Sequence, residues 1–319
     1  MTATPRLMPE TPAAPSDALS DLLDGMHLSG VVQFCAHFRE PWRVNTPEAC
    51  QLAALLRYGA DHIVPFHVIA SGGCFIEMPG AAPVWLNRGD AVLMPYCDSH
   101  SLSGREGAGP MAIGDLLPSL PTSGISVIEH GGVGDATRLV CGFLRCDELL
   151  FDPVLRHLPK LVHVSPTRDG SWLASTIQHT VAMASDPSYG ARSLLPRITE
   201  LMFVEILRQH MRGLSADEVG WFAAYNDPIV GQALRLLHAA PMQAWSVEAL
   251  AQRTGASRTV LAERFKHYLD KPPMHYLAHW RLRLAAQRMR AGDAPLKAIA
   301  EEVGYESEAA FSRAFKRHF

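Results

Sequence analysis

The sequence predicts an α+β protein of more than one domain, with a β-rich front part, a helical middle part and an all-helical back third. The chain has 319 residues, about twice the length of a typical single domain. Short apolar runs separated by Gly and Pro fill the front part, and near Leu149 the apolar spacing changes to steps of three and four residues. Hydrophobic residues make up 48% of the chain and charged residues 19%, which supports sizeable cores and excludes a largely disordered protein.

The front part consists of a predicted disordered tail at residues 1–15 and a β-rich domain at residues 16–158. Short strands at close intervals are typical of an antiparallel sandwich or barrel. The predicted strands include residues 63–70, 74–78, 84–86, 91–94, 125–129 and 138–144. Residues 103–123 are rich in Gly, Pro and Ser, which predicts a long surface loop.

The middle part, residues 159–225, is predicted to contain two amphipathic helices, at residues 172–183 and 193–211. In the second helix apolar residues recur at helical spacing from Leu194 to Leu207. These helices could pack on the β-rich domain, on each other or across a dimer, and the sequence leaves the three arrangements open. A linker is predicted at residues 213–228, and everything after it is predicted to be helical.

The back third, residues 226–319, begins with a predicted helical hairpin. Ser246 is a plausible N-cap of a short helix, Gly255 supplies the turn, and Ser257 caps a second helix. The apolar spacing of that second helix predicts a buried side formed by Leu261, Phe265 and Tyr268. A short helix, a glycine turn and a second helix with a polar outer face form a helix-turn-helix.

A second hairpin with the same order of signals lies at residues 296–317. Gly304 makes its turn, and Ser307 caps a helix predicted to bury Phe311 and Phe315. Arg313, on the outer face of that helix, could pair with Glu306 or another acidic neighbour. One helical hairpin is a weak signal, but two hairpins joined by a helix over residues 274–290 form a specific pattern. The connector could hold the two reading helices about 34 Å apart, one turn of duplex DNA.

The charge distribution agrees with DNA as a partner of the back third. Residues 226–319 contain 14 Lys/Arg and 9 Asp/Glu, a balance of +5, whereas the rest of the chain contains 15 and 23, a balance of −8. A basic back third in a chain whose total charge is −3 predicts that this third contacts a polyanion.

The back third resembles the DNA-binding domain of the AraC/XylS transcriptional regulators. The resemblance is carried by residues 246–251, 257–265 and 271–277, and above all by the run Ile-Ala-Glu-Glu-Val-Gly-Tyr at residues 299–305 with its continuation to Lys316. Family members usually continue past this point with Gly, Pro and a short tail, so two expectations stay open: a less well capped end of the second reading helix, or a truncated chain. The resemblance implies double-stranded promoter DNA and RNA polymerase as partners. The DNA-binding positions that it implies are Ser257, Arg258, Thr259, Ala262, Glu263, Lys266, Ser307, Glu308, Ala309, Ser312, Arg313 and Lys316.

The front domain resembles the cupin-type sensor domain of a branch of the same family. The matching stretches are residues 17–23, 65–68, 88–95 with His100, and 139–144, and the resemblance implies that the helical middle part contributes to a homodimer. Cupin barrels commonly bind a metal through histidines and a carboxylate, but the usual His-x-His pair is absent from this sequence. His67, His100, Cys35 and Cys141 remain as a possible tetrahedral Zn²⁺ site.

Two other kinds of signal are open for the front domain. The resemblance extends to regulators that respond to reactive chlorine or electrophiles, and it implies Cys35 and Cys141 as sensing thiols, made more acidic by His67 or an arginine. Alternatively, a small organic effector could occupy the barrel. The aromatic residues that could line such a pocket are Trp42, Phe66, Trp85 and Tyr96.

Several classes of protein are excluded by the sequence. The sequence contains no run of about 18 apolar residues, so no transmembrane helix is predicted. The first residues show no secretory signal. The six cysteines contain no CxxC pair, which is typical of reduced thiols in the cytoplasm. The chain contains no GxSxG, P-loop or HExxH motif, so a regulator is expected rather than an enzyme.

Overall fold

The structure is a computed structural model that describes residues 20, 29–56, 62–117, 126–146, 158–165, 172–185, 190–215, 218–292 and 294–318. The chain divides into two compact units between Ala223 and Ala224. The predicted tail at residues 1–15 lies outside the described residues. The N-terminal unit includes the two helices predicted in the middle part, and the C-terminal unit contains both predicted hairpins.

Two β-sheets form the N-terminal unit. Its strands among the described residues are β1 (Ser29–Arg39), β2 (Arg43–Thr46), β3 (His62–Ser71), β4 (Gly73–Glu77), β5 (Val84–Asn87), β6 (Ala91–Leu93), β7 (His100–Ser103), β8 (Met111–Ala112), β9 (Ser126–Gly131), β10 (Ala136–Cys146) and β11 (Val162–Val164). The larger sheet has the order β11-β6-β3-β10-β1-β9, and the smaller sheet has the order β5-β4-β7-β2-β8. Neighbouring strands are antiparallel except for the parallel pairs β1–β9 and β2–β8.

The two sheets share one apolar core, as expected for a β-sandwich. It contains fully buried side chains from both sheets, among them Phe38, Trp42, Ile76, Leu86 and Leu139. The six predicted strands correspond to β3, β4, β5, β6, β9 and β10. The prediction of one long loop at residues 103–123 is wrong for its middle, which forms β8 and a short helix, α2 (Ile113–Leu116), because Ile113 enters the core.

The helices of the middle part pack within the chain, on the larger sheet. Helix α3 (Trp172–Ser185) contacts α4 (Ala191–Gly213), and both lie against β1. The Gly30 amide donates to Glu200 Oε1 at 3.2 Å, and a Cβ on Gly30 would lie 2.5 Å from the Pro196 carbonyl oxygen. Glycine at position 30 therefore allows α4 to approach the strand closely. A further helix, α1 (Ala49–Leu56), precedes β3.

The C-terminal unit is helical. Helix α5 (Trp221–Asn226), in which Trp221 and Ala224 are completely buried, contains the division between the units and lies inside residues 213–228, the predicted linker. The remaining helices are α6 (Val230–Ala239), α7 (Val247–Arg253), α8 (Arg258–Leu269), α9 (Pro273–Ala291), α10 (Leu296–Glu302) and α11 (Glu308–His318). None of the helices within the described residues is long and apolar enough to cross a membrane.

Candidate nucleic-acid interface and buried cysteine–histidine cluster

The first hairpin, α7 and α8, has the capping contacts that its sequence predicts. Ser246 Oγ accepts from the Ala249 amide at 3.1 Å, and Ser257 Oγ accepts from the Val260 amide at 3.2 Å. Each contact satisfies an amide that the first turn of a helix leaves without a backbone partner. The helix starts are therefore fixed by their own local sequence.

Both hairpins turn through the same backbone motif. Gly255 and Gly304 have φ angles of 66° and 84°, which side-chain-bearing residues rarely adopt. The residue after each glycine donates back into the helix, Ala256 to the Ala251 oxygen and Tyr305 to the Ala300 oxygen, both at 2.9 Å. This is the Schellman motif, and its occurrence in both hairpins gives them the same turn geometry.

The second hairpin, α10 and α11, repeats the cap and the buried side of the first. Ser307 Oγ accepts from the Ala310 amide at 3.2 Å, and Phe311 is buried against α9 and α10. Phe315 packs on the same cluster and is half-buried. In the first hairpin the third buried position is Leu269 rather than the predicted Tyr268, which is half-exposed, because Leu269 lies one turn further along the face of Leu261 and Phe265.

The second helix of each hairpin presents an outward face of equivalent positions. Thr259, Glu263 and Lys266 follow at steps of four and three residues and are exposed in α8, as Ala309, Arg313 and Lys316 are in α11. Ser257, Arg258, Ser307 and Glu308 are also exposed, whereas Ala262 and Ser312 are half-buried beside the core. The sequence prediction did not name Val260, which is also exposed on α8.

The basic side chains of these two helices differ in their ion pairs. Arg258 donates to Glu248 of α7 at 2.6 Å, and this hydrogen bond lowers the pKa of Glu248. Lys266 pairs with Asp270 at the end of its own helix. In the part of the chain that the structure describes, Arg313 and Lys316 make no ion pair, and the expected Arg313–Glu306 pair does not form. Arg313 and Lys316 are thus available to an outside partner.

In the N-terminal unit, three of the predicted sensor residues form a hydrogen-bonded chain. His67 and Cys141 are register partners on β3 and β10, and His67 Nδ1 lies 2.9 Å from Cys141 Sγ. His67 Nε2 lies 2.9 Å from His100 Nε2, and His100 Nδ1 lies 3.2 Å from the Asp98 carbonyl oxygen. The three side chains are at most 6% exposed.

The Asp98 carbonyl fixes the direction of every hydrogen bond in this cysteine–histidine chain. A carbonyl oxygen only accepts, so His100 donates from Nδ1 and, when neutral, accepts at Nε2. His67 must then donate from Nε2 and accept at Nδ1, and Cys141 donates its S–H to that Nδ1. Transfer of the thiol proton to His67 Nδ1 would leave the other hydrogen bonds in place, so the geometry suits formation of a Cys141 thiolate.

Burial keeps this chain neutral at rest. It raises the pKa of the Cys141 thiol well above its ordinary value and lowers the pKa of His67, with His100 adding to the latter shift. Burial also lowers the pKa of His100. A thiol and two neutral imidazoles are therefore the resting forms near neutral pH.

Cys35 lies on the other face of the larger sheet from the cysteine–histidine chain. Phe34 is the register partner of Cys141 and shares the core with it, whereas Cys35 is paired with Val140. Side chains alternate along a strand, so Cys35 points to the opposite face. Burial raises its pKa to about 11. The core instead contains Cys74, a fully buried thiol whose pKa burial raises to about 12.

The predicted four-ligand zinc set does not converge on one point. Cys141 lies on the Nδ1 edge of His67 and His100 on its Nε2 edge, so a single ion cannot bind both partners together with His67. Cys35 faces the other side of the sheet. Within the described residues, no cluster of three or more Cys, His, Asp or Glu side chains has a geometry suited to a metal ion.

The aromatic residues predicted to line an effector pocket do not meet. Trp42 lies between the sheets, whereas Phe66 lies under α4 beside Met202. Trp85 stacks against Arg105 on the surface, with the guanidinium 4.2 Å from the ring centre, and Tyr96 donates to the Leu158 carbonyl. The prediction of a shared aromatic pocket is wrong because one of these side chains lies in the core, one lies under α4 and two lie at the surface.

An open groove on the smaller sheet borders the cysteine–histidine chain at His100. His100 lines it together with Ser101 and Arg43, and Arg43 donates to Glu77 at 2.7 Å and to Ser101 Oγ at 3.1 Å. The sequence prediction named His100 but neither Arg43 nor Glu77, whose role depends on strand pairing between β2, β4 and β7.

Comparison with known proteins matches both units. A family described as Cupin matches residues 17–212, and one described as Helix-turn-helix domain matches residues 250–319. An AraC-like transcription regulator of Streptomyces lividans is 34% identical over 272 residues, which cover 82% of this chain and 86% of that protein. The chain belongs to the AraC family of transcription regulators. The predicted family and the predicted fold class are confirmed.

Two further relatives match most of the chain. The HTH-type transcriptional regulator AlkR of Acinetobacter baylyi is 26% identical over 307 residues, which cover 95% of this chain and 96% of AlkR. The RCS-specific HTH-type transcriptional activator RclR of Escherichia coli is 25% identical over 269 residues, which cover 83% of this chain and 84% of RclR. All three relatives are named as regulators of transcription.

One Ser–His–Asp grouping in this AraC-family chain resembles a hydrolase triad in composition. His163 Nε2 lies 3.0 Å from Asp90 Oδ2 and 3.4 Å from Ser165 Oγ. A triad needs the carboxylate on one imidazole nitrogen and the nucleophile on the other. Because both contacts fall on Nε2, His163 cannot pass a proton from Ser165 while Asp90 orients it, and the grouping fastens β11 to the turn before β6.

Proposed function

We propose that the chain binds promoter DNA by placing α8 and α11 in two successive major grooves. The observation that carries this proposal is the repeated hairpin: two identical turns, two serine caps and two outward faces at equivalent positions. Ser257, Arg258 and Ser307 lie at the starts of the two helices, and helix N-termini favour phosphate. Glu308, a carboxylate in the first turn of α11, is instead a position for base contacts. Thr259, Ala262, Glu263, Ala309, Ser312 and Arg313 are the positions for base contacts, with Lys266 and Lys316 nearer the phosphates.

The equivalent positions Glu263 and Arg313 carry opposite charges. A carboxylate accepts from the cytosine N4 amino group, and an arginine donates to guanine O6 and N7. We therefore expect the two half-sites to differ in sequence, cytosine being read by α8 and guanine by α11. A single protomer would then bind an asymmetric site in a defined direction, which suits the positioning of RNA polymerase at a promoter.

Replacement of Lys316 by alanine should weaken DNA binding and its salt dependence. One lost phosphate contact is expected to reduce the slope of log K against log salt by about 0.9. Lys266→Ala should reduce affinity less, because Lys266 already pairs with Asp270 and exchanges that exposed pair for the phosphate.

The control for the salt titration is Arg88→Ala, which removes an equal charge from an exposed turn of the N-terminal unit. It should leave the slope unchanged. An unchanged slope for Lys316→Ala as well would mean that α11 does not lie against the phosphates.

We propose that the signal is an oxidant or electrophile, sensed through the Cys141–His67–His100 chain. The support is the polarity of that chain: a thiol donates to a histidine nitrogen that is free to take its proton, and the chain ends at a solvent-lined groove. One relative of the chain is named RCS-specific. The alternative signal, a small polar effector, would bind in the groove itself beside Arg43 and Glu77.

We also propose that α4 forms a homodimer contact. Its inner face packs on the larger sheet, but Leu194 and Leu201 on the outer face are 48% and 54% exposed. Ile198, half-buried, completes a stripe at steps of four and three residues, the spacing of a helix-pairing seam.

Leu201→Glu should convert the dimer to a monomer without unfolding it, since Leu201 contributes little to the core of its own unit. Analytical ultracentrifugation at micromolar concentration would show the loss of mass, and Val133→Glu, at an apolar residue that is 96% exposed, is the matched control. If Leu201→Glu and wild type sediment alike as dimers, the contact lies elsewhere.

A further inference from the structure

Arg281 of the connector helix α9 contacts the loop that precedes the first hairpin and the turn of the second hairpin. Arg281 Nε donates to the Pro241 carbonyl at 2.7 Å, and its Nη2 donates to the Gln243 carbonyl at 2.8 Å. Both acceptors lie in the loop between α6 and α7, a few residues before the Ser246 cap. Charge-assisted bonds from one planar guanidinium to two carbonyls fix position as well as direction.

This loop is itself well ordered by internal hydrogen bonds. The Gln243 amide donates to the Ala240 carbonyl at 3.2 Å, and the Trp245 amide donates to the Gln243 carbonyl at 2.8 Å. The Trp245 indole also donates to the Ala240 carbonyl, at 2.9 Å. A displacement of the loop would therefore move Ser246 and α7 with it, so the Arg281 contacts fix the first hairpin relative to α9.

The other side of the same guanidinium lies against the second hairpin. An ideal Cβ built on Gly304 would lie 3.3 Å from Arg281 Nη1. Burial raises the pKa of the neighbouring Tyr305 hydroxyl, and Arg281 is close enough to oppose that shift. A side chain at position 304 would thus strain the left-handed turn and would also require the Arg281 guanidinium to shift by a few tenths of an ångström.

Within the described residues, the two hairpins otherwise pack on different parts of α9. Leu282 and Ala285 of α9 pack with Ile299 and Phe311 of the second hairpin. The first hairpin contacts the start of α9, where Phe265 packs on Tyr276 with ring centres 6.2 Å apart. Apolar packing is non-directional, so it holds each hairpin on α9 but specifies the angle between them less strictly than hydrogen bonds do.

We infer that Arg281 is a positioning residue that sets the separation and relative rotation of α8 and α11, and thereby the spacing of the two DNA half-sites that the protein accepts. The inference rests on the proposed two-groove binding. Arg281 lies on the connector, and its observed hydrogen bonds are to carbonyls of the protein. It acts through the hairpins, so its loss should change which spacings bind more than it changes the recognition of one half-site.

The test is selection of DNA from a library of random duplexes of about 40 base pairs by the full-length protein, followed by sequencing. Wild type should enrich two half-sites at one separation, about 10 to 10.5 base pairs. Arg281→Met should enrich the same half-sites at several neighbouring separations and bind the wild-type duplex about tenfold more weakly, since loosely linked sites lose effective concentration. Arg281→Lys, with one donor group in place of the fork, should lie between the two.

Arg288→Met is the charge-matched control on the same helix. Arg288 pairs with Glu302, which lies in the second hairpin, so this pair does not connect the two hairpins. It should keep the single separation. If Arg281→Met also keeps the single separation, the inference is overturned. If wild type itself enriches no paired half-sites, the proposed function fails first, and the inference with it.

A glycine pair tests the inference without touching Arg281. Gly304→Ala and Gly255→Ala impose the same left-handed backbone strain, but nothing lies within 4 Å of a Cβ on Gly255. Both variants should lose similar thermal stability, and Gly304→Ala alone should broaden the enriched separations. Equal selections by the two glycine variants, with both folded by circular dichroism, would contradict the role of the Arg281–Gly304 contact.

Discussion

Arg313→Ala should remove the preference of the protein for guanine at one position of its binding site. Arg313 is exposed on α11 and has no ion pair among the described residues, so its guanidinium can bind guanine without breaking an existing contact. A bidentate arginine–guanine contact contributes about 1–3 kcal/mol of discrimination. The expected loss is therefore about fivefold to 150-fold in affinity for the selected site and little for a site with another base there.

The measurement is competition binding with duplexes that differ at one base pair. The matched control is Glu263→Ala, the equivalent position of α8, which should relax the preference at a different base pair, one turn of duplex away. The assignment of α11 as a reading helix would be wrong if Arg313→Ala weakened binding to all duplexes by the same factor, as a lost phosphate contact does.

His67→Gln should slow oxidation of Cys141 by about 100-fold, because general-base catalysis commonly contributes a factor of that size. The thiol of Cys141 has its pKa raised by burial and is protonated at neutral pH, and the thiolate is the reactive form. Glutamine still accepts a hydrogen bond from the thiol but cannot take its proton. Mass spectrometry of the protein after mild oxidant would give the rate at each cysteine.

A promoter reporter would show the consequence in cells. Cys141→Ser should abolish the response to oxidant, and Cys35→Ser should leave it unchanged, because Cys35 faces the other side of the sheet. Cys97→Ser is the control, since Cys97 is a buried free thiol in a separate apolar cluster. Equal oxidation rates for wild type and His67→Gln would contradict a role of the cysteine–histidine chain in sensing. A full response of metal-free protein to a small polar compound would instead favour an effector bound in the groove.

The hairpins were predictable from sequence because their determinants are local. The serine at position 246 caps an amide three residues away, and Gly255 and Gly304 are required by φ angles at their own positions. In contrast, β1 was not among the predicted strands. It is covered by α4 on one face and by the smaller sheet on the other, and a bulge between Val32 and Phe34 shifts its alternation.

The sensor residues show where sequence reasoning reaches its limit. His67, His100 and Cys141 were named from the resemblance, but their order in a hydrogen-bonded chain depends on the register of β3 against β10. The same register separates Cys35 from them. Arg281 was not predicted, because its acceptors are backbone carbonyls 38 and 40 residues away that carry no sequence signature.

Two-groove binding by one protomer is tested most directly by a methylation-protection footprint of guanine N7 on the selected duplex, with a monomeric Leu201→Glu protein. The hairpin geometry predicts protection in two successive major grooves on one face of the DNA, about one helical turn apart, and loss of the second patch when Arg313 is replaced by alanine. Protection confined to one groove, or spread evenly over both faces of the duplex, would contradict the account.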